Sequence, residues 1–192
     1  MKNSMMKTIL VMAGLMGALQ AHAIEGKWLA GFGIEPGGDR LITVQTNNGS
    51  SSTRANQGLS LNIGGVFPNN AEKTLETAVT IGFKFGGTVA KNGEALWTSV
   101  PIDLVQFYRA DDVRFGLGGT FHVSNQVKVD IPGLQTTANL DDAFGLIVQV
   151  GWAPKSANYS LDLRYTSIKY TRSGFSGNLE GSTAGVFGTV RF

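Results

Sequence analysis

No cysteine occurs anywhere in the 192 residues. That single absence excludes disulfide frameworks, thiolate zinc sites and thiol nucleophiles. Proline is scarce, at 5 residues, and charged residues make up only 16% of the chain. Long hydrophobic runs are missing beyond the N-terminus, and the mean hydropathy of +0.03 is near neutral. The body is therefore not a bundle of apolar transmembrane helices. An excess of one charge sign is missing too. The formal +2 comes from Lys2 and Lys7, and the remainder balances basic against acidic residues. A neutral body carries no electrostatic footprint for nucleic acid. What is plentiful is glycine, at 26 residues, in a chain whose length suits one domain.

The N-terminus reads as an address. Lys2 and Lys7 open it, an apolar run follows from Thr8 to Leu19, and Ala21-His22-Ala23 places small residues at −3 and −1 of a signal-peptidase site. The apolar core is about 12 residues, against about 20 for a spanning helix, so a cleaved signal over 1–23 is expected rather than an anchor. The mature domain then covers 24–192, without a cysteine for lipid attachment.

From there the apolar residues alternate, as in strands with two different faces. Gln57–Phe67 sets Leu59, Leu61, Ile63 and Phe67 against Ser60, Asn62 and Gly64; Ala78–Gly86 sets Val79, Ile81, Phe83 and Phe85 against Thr80, Gly82 and Lys84. Val113–Val123, Phe144–Trp152, Ser160–Tyr170 and Ala184–Phe192 behave alike. Lys27–Thr46 is read as one long first strand, kinked at Glu35-Pro36-Gly37-Gly38-Asp39. A separate hairpin there is the alternative, and it would alter the strand count. Leu96–Arg109 loses alternation near Val105, where a bulge is expected. Short connections (Pro68–Thr74, Ala110–Asp112, Pro154–Ala157) alternate with longer ones (Asn47–Asn56, Gly87–Glu94, Ser124–Asp142, Thr171–Thr183).

These features predict an all-β fold: an antiparallel eight-stranded transmembrane β-barrel. Three observations favour a membrane barrel over a soluble sandwich. The polar face mixes glycine with Lys84, Asp103, Arg114, Asp162, Arg164 and Arg191, a charge network suited to a narrow lumen. Aromatic residues gather near strand ends: Trp28, Tyr108, Phe115, Trp152 and Phe192 toward one rim, Trp97 and Tyr170 toward the other. The chain also finishes on a strand, at Phe192.

The ending Val186-Phe187-Gly188-Thr189-Val190-Arg191-Phe192 resembles the terminal strand of bacterial outer-membrane proteins. So, more broadly, do Leu161-Asp162-Leu163-Arg164-Tyr165 and Asp112-Val113-Arg114-Phe115-Gly116-Leu117-Gly118-Gly119. The mature chain is similar in layout to the small barrels of the OmpA/OmpX/OmpW type. That resemblance implies a bacterial outer-membrane location, termini and short turns in the periplasm, and long loops outside. It also implies that the barrel-assembly machinery reads Val190 and Phe192, and that outer-membrane lipid and lipopolysaccharide surround the barrel.

Candidate chemistry is thin. His122 is the only histidine after the signal, and His122-Val123-Ser124-Asn125 resembles the motif of outer-membrane lipid A deacylases. Ester cleavage there needs a serine, a histidine base and a carboxylate; Asp142, Asp141 or Asp130 are the candidates for the third group. By parity, however, Phe121 and Val123 face lipid and His122 faces the lumen. Gly116-Leu117-Gly118-Gly119 has no helix behind it to hold phosphate, so its small residues are expected to relieve crowding. No metal or cofactor is expected. The expected role is structural or surface-interacting, without catalysis, with an extracellular ligand at the loops. Ser124–Asp142 stands out there, with Val127, Val129, Ile131 and Leu134. The alternatives are a narrow port for small hydrophobic solutes, hinted at by Pro36 and Pro101, and the deacylase.

Overall fold

The computed structural model describes residues 26–46, 49–90, 93–173 and 177–192, and every regular element in them is a β-strand. In chain order these are β1 (Lys27–Glu35), β2 (Arg40–Thr46), β3 (Gly49–Arg54), β4 (Gly58–Pro68), β5 (Leu75–Ala90) and β6 (Gly93–Ala110). They continue with β7 (Val113–Ile131), β8 (Leu134–Asn139), β9 (Ala143–Trp152), β10 (Tyr159–Tyr170), β11 (Leu179–Glu180) and β12 (Thr183–Arg191). The signal segment, 1–23, lies outside the described residues.

Eight strands close on themselves. The antiparallel ring runs β1, β4, β5, β6, β7, β9, β10, β12 and returns to β1 through Leu29↔Arg191 to Ile34↔Val186. Trp28 and Phe192 complete the seam by exchanging backbone hydrogen bonds of 3.0 and 3.1 Å. Closure leaves no edge in the ring, so each of its strands is paired on both sides. The all-β eight-stranded barrel expected from the alternation is the fold observed.

Side-chain parity turns the usual protein inside out. Phe32, Leu61, Ile81, Phe115, Leu146, Leu163 and Val186 stand outward and exposed. Ser60, Lys84, Asp103, Arg114, Gln149 and Asp162 stand inward and buried. An apolar belt around a charged interior is stable only when the solvent is lipid. The start of β1, the end of β12 and the short turns share one end, which is the periplasmic end in barrels of this type; the strands extend into hairpins at the other.

Four expectations about the strands need correction. Segment 35–39 is not a kink in one strand: among the described strands β2 pairs only with β3, as a separate hairpin above the ring. The strand count survives because that hairpin stays out of the barrel. Gly87–Glu94 and Ser124–Asp142 are mostly strand, since β5 runs to Ala90, β7 to Ile131, and β8 returns along β7. Outside the membrane neither face need be uniformly apolar, so pairing there leaves no alternation to read.

The fourth correction concerns the bulge, which lies not at Val105 but opposite Ser99. Thr98 pairs with Gln126 and Val100 with Val123, so Ser124 and Asn125 stand against one residue of β6. Ser124 adopts φ 54°, the left-handed first position of such a bulge. Near Val105 the ladder is regular; Val105 and Phe107 are simply apolar residues on the inward face.

Candidate functional site

The interior is a stack of polar layers. Nearest the periplasm, Glu76 accepts from Arg191 Nη1 and Nη2 at 2.9 and 3.0 Å and from Arg109 at 3.4 Å. Above it, Arg114 forms a fork with Asp162, at 2.7 Å through Nε and 2.5 Å through Nη2, and also donates to Ser160. Phe107 lies beneath that guanidinium, 4.3 Å from ring centre to Cζ. Next, Arg164 donates to Asp103 at 2.7 Å and to Gln149 at 3.0 Å, and lies over the Phe187 ring. Higher still, Lys84 pairs with Glu35 and donates to Asn56 at 2.7 Å. A charge buried alone would cost several kcal/mol, so such groups persist only with partners.

All six charges picked out by parity stand inside. Lys84, Asp103, Arg114, Asp162, Arg164 and Arg191 each have an ion partner. Sequence reasoning missed the partners Glu35, Glu76 and Arg109. The signal was there: Glu76 lies two residues before inward Ala78, and Arg109 two residues after inward Phe107.

The outer end is plugged. The end of β3 and the turn after it dip into the barrel mouth, burying Thr53, Ala55 and Asn56. Asn56 donates to the Gly181 carbonyl at 3.0 Å, and Thr53 to that of Ala95 at 3.1 Å. Gly38 and Asp39 tie the same turn to Ala55 and to Glu180 through backbone bonds. Around it sits an apolar cluster of Ala55, Trp97, Ala143, Ile168 and Tyr170, with Leu41, Val127, Leu140 and Leu179 packed against it.

That cluster corrects the second aromatic rim. Trp97 and Tyr170 are wholly buried and touch edge-to-face at 5.0 Å. Trp97 shares the inward parity of Ser99 and Asp103, and Tyr170 that of Asp162 and Ile168, so neither reaches lipid. Trp28, Tyr108, Phe115, Trp152 and Phe192 stand exposed at the periplasmic rim. Toward the outer rim the exposed aromatics are Phe83, Phe85, Phe144 and Tyr165.

His122 is buried under this cap. Its Nδ1 is 3.0 Å from Ser99 Oγ and 2.8 Å from Tyr170 OH, and Ser99 donates to Asn125 Oδ1 at 2.7 Å. Ser124, two residues on, is exposed at the bulge. Among the described residues no hydrogen bond joins His122 to Ser124, Asp130, Asp141 or Asp142. Asp141 instead accepts from Thr171 and Ser173, and Asp130 from Gln135. The glycine run serves packing: a Cβ at Gly116 would meet the Phe107 ring at 2.6 Å, and one at Gly118 the Leu104 carbonyl.

The free interior space is small. Two cavities of about 20 Å³ each border Asp103 and Arg164, one toward His122 and one toward Arg114. Each holds about one water. Beyond the membrane, β7 and β8 rise as a hairpin on which Lys128 donates to Glu94 at 2.7 Å; that carboxylate raises the pKa of the ammonium. Among the described strands β8 pairs only with β7, so its other backbone edge is open. Leu134–Asn139 contains no charge and no proline to guard that edge.

No family model matches the chain, and no match to a curated protein is found. The fold is similar to two crystal structures of Ail, the attachment invasion locus protein of Yersinia pestis, one of them in complex with the heparin analogue sucrose octasulfate. Both give a TM-score of 0.51 at 11% identity; they cover 89% and 87% of this chain, and 100% and 97% of those chains. Neisserial surface protein A is also similar, with a TM-score of 0.49 at 15% identity over 87% of this chain and 97% of that one. The likeness to Ail agrees with the closed ring and the apolar belt: the fold is that of a small eight-stranded outer-membrane barrel.

Proposed function

We propose that this chain is a cell-surface protein of the bacterial outer membrane, in which a sealed barrel anchors hairpins that engage an extracellular ligand. One observation carries the reading. The barrel is filled and plugged, yet one hairpin presents an open, uncharged backbone edge above the membrane. An extended segment of a partner can add to such an edge through main-chain hydrogen bonds. Ail has been crystallised with a heparin analogue. Here the hairpins mix signs, with Arg40, Arg54 and Lys128 near Asp39, Glu94 and Asp130, which favours backbone recognition over binding by bulk charge.

The port reading has less support, since cavities of about 20 Å³ do not form a path. The deacylase reading has less support as well, because Ser99 and Tyr170 occupy the His122 nitrogen while Ser124 faces water. A role without catalysis or cofactor is part of the proposal, as is recognition of Val190 and Phe192 by the assembly machinery.

The test displays the protein on a Gram-negative host and measures adhesion to immobilised extracellular-matrix protein and to heparin. Deleting 126–139, with a short turn in its place, is expected to abolish adhesion to protein while the barrel still folds. Adhesion that survives the deletion, or adhesion to heparin alone, sinks the reading. Lipid A mass is expected to be the same with wild type and with Ser124→Ala.

A further inference from the structure

The interior charges do not balance. Among the described residues, Lys84–Glu35, Arg164–Asp103 and Arg114–Asp162 are one-to-one pairs. The remaining two cations, Arg109 and Arg191, share the single carboxylate of Glu76. All three side chains are nearly buried, at 10%, 11% and 7% exposure. Arg109 turns its other nitrogen to the Ala153 carbonyl, a neutral acceptor. One guanidinium charge is thus left without a counter-charge among the described residues.

The excess lies against the large periplasmic cavity, which measures about 360 Å³. That volume is within the range of small-ligand sites, and far above the single-water cavities higher in the lumen. Arg109, Arg191 and Glu76 form its inner wall, and Lys27 and Lys73 stand at its mouth. Neither lysine has an ion partner among the described residues. Lys155, also on the lining, is occupied by Asp111 at 3.0 Å. Glu72 lies at the mouth too and, with Glu76, is one of two carboxylates on the lining that oppose an incoming anion. The cations still outnumber the carboxylates on the lining.

We infer that this vestibule binds a small periplasmic anion, bearing a phosphate or carboxylate group, that enters between Lys27 and Lys73 and completes the half-neutralised Arg109–Glu76–Arg191 cluster. Guanidinium forks suit the flat, two-oxygen face that phosphates and carboxylates share. The anion is either a free solute or the headgroup of an inner-leaflet lipid, and the experiment separates the two.

The full-length protein, refolded in a sugar-headed detergent free of phosphate, is titrated with inorganic phosphate, with succinate and with short-chain phosphatidylglycerol. Amide and arginine Nε resonances are followed by NMR. Saturable shifts are expected at Lys27, Lys73, Arg109 and Arg191. The double variant Lys27→Gln, Lys73→Gln, which changes only exposed side chains, is expected to bind about tenfold more weakly. Lys128→Gln on the outer hairpin is expected to bind like wild type. Saturation by phosphate or succinate identifies a free solute; saturation by phosphatidylglycerol alone identifies a headgroup. The inference is overturned if none of the three saturates, if the double variant binds like wild type, or if Lys128→Gln weakens binding equally.

Discussion

Arg114 shows how one side chain is held by several others. Its fork grips Asp162 on β10, its planar face covers Phe107 on β6, and Gly116 provides the room that ring needs. Removing one partner of a buried ion pair leaves an uncompensated charge, at a cost of about 3–5 kcal/mol. Arg114→Ala is therefore expected to lose about that much in urea unfolding from detergent micelles, whereas Arg114→Met with Asp162→Leu loses much less. Equal losses in the single and double variants would show that packing, not charge, dominates the layer. Gly151→Ala reaches the same pair from another side, since its Cβ would strike the Asp162 carboxylate. Tyr170→Phe is milder: it keeps the edge contact with Trp97 and removes the bond to His122, for about 1 kcal/mol.

At the scale of the element, the bulge at Ser124 decides what β7 presents. Below it, His122 and Thr120 point inward; above it the phase slips, so Asn125, Val127 and Val129 point inward instead. Without the slip Gln126 and Lys128 would face the apolar cap. A left-handed residue with a side chain costs about 1–2 kcal/mol, which glycine avoids. Ser124→Gly is thus expected to be neutral or stabilising and Ser124→Val destabilising, both read by thermal unfolding. A large loss in Ser124→Gly would mean that the hydroxyl, not the backbone, matters there. The bulge also marks where the sequence stops being legible. Alternation gave the ring strands because lipid and lumen impose opposite chemistry on alternate residues. It failed for β3 and β8, and it read β2 as strand but as a continuation of β1, because water bathes the hairpins and no such contrast exists there. It misplaced Trp97 and Tyr170 because an aromatic near a strand end was read by position along the strand rather than by parity, and parity puts both inside. Lys84, Asp103 and Arg114 were found by parity; Glu35 and Glu76 were missed because they fall just outside the clean runs.

At the scale of the whole molecule, the barrel has two barriers in series. The outer one is the Arg54–Gln57 turn and its apolar collar around Trp97 and Tyr170. The inner one is the stack of ion pairs from Lys84–Glu35 down to Arg114–Asp162. An eight-stranded ring is just wide enough for side chains to fill it, so the stack blocks the lumen by itself. Wild type is expected to give no discrete conductance steps in planar bilayers. Replacing 40–57 with a short turn removes the turn that closes the outer end and leaves the inner barrier, so that variant is expected to stay silent too. Arg164→Ala with Asp103→Ala in the deleted background joins the two small cavities that border that pair, and it is the variant in which steps are expected first. Steps in the deletion alone would mean that the ion-pair layers part readily, and that the port reading, not the sealed anchor, describes this barrel.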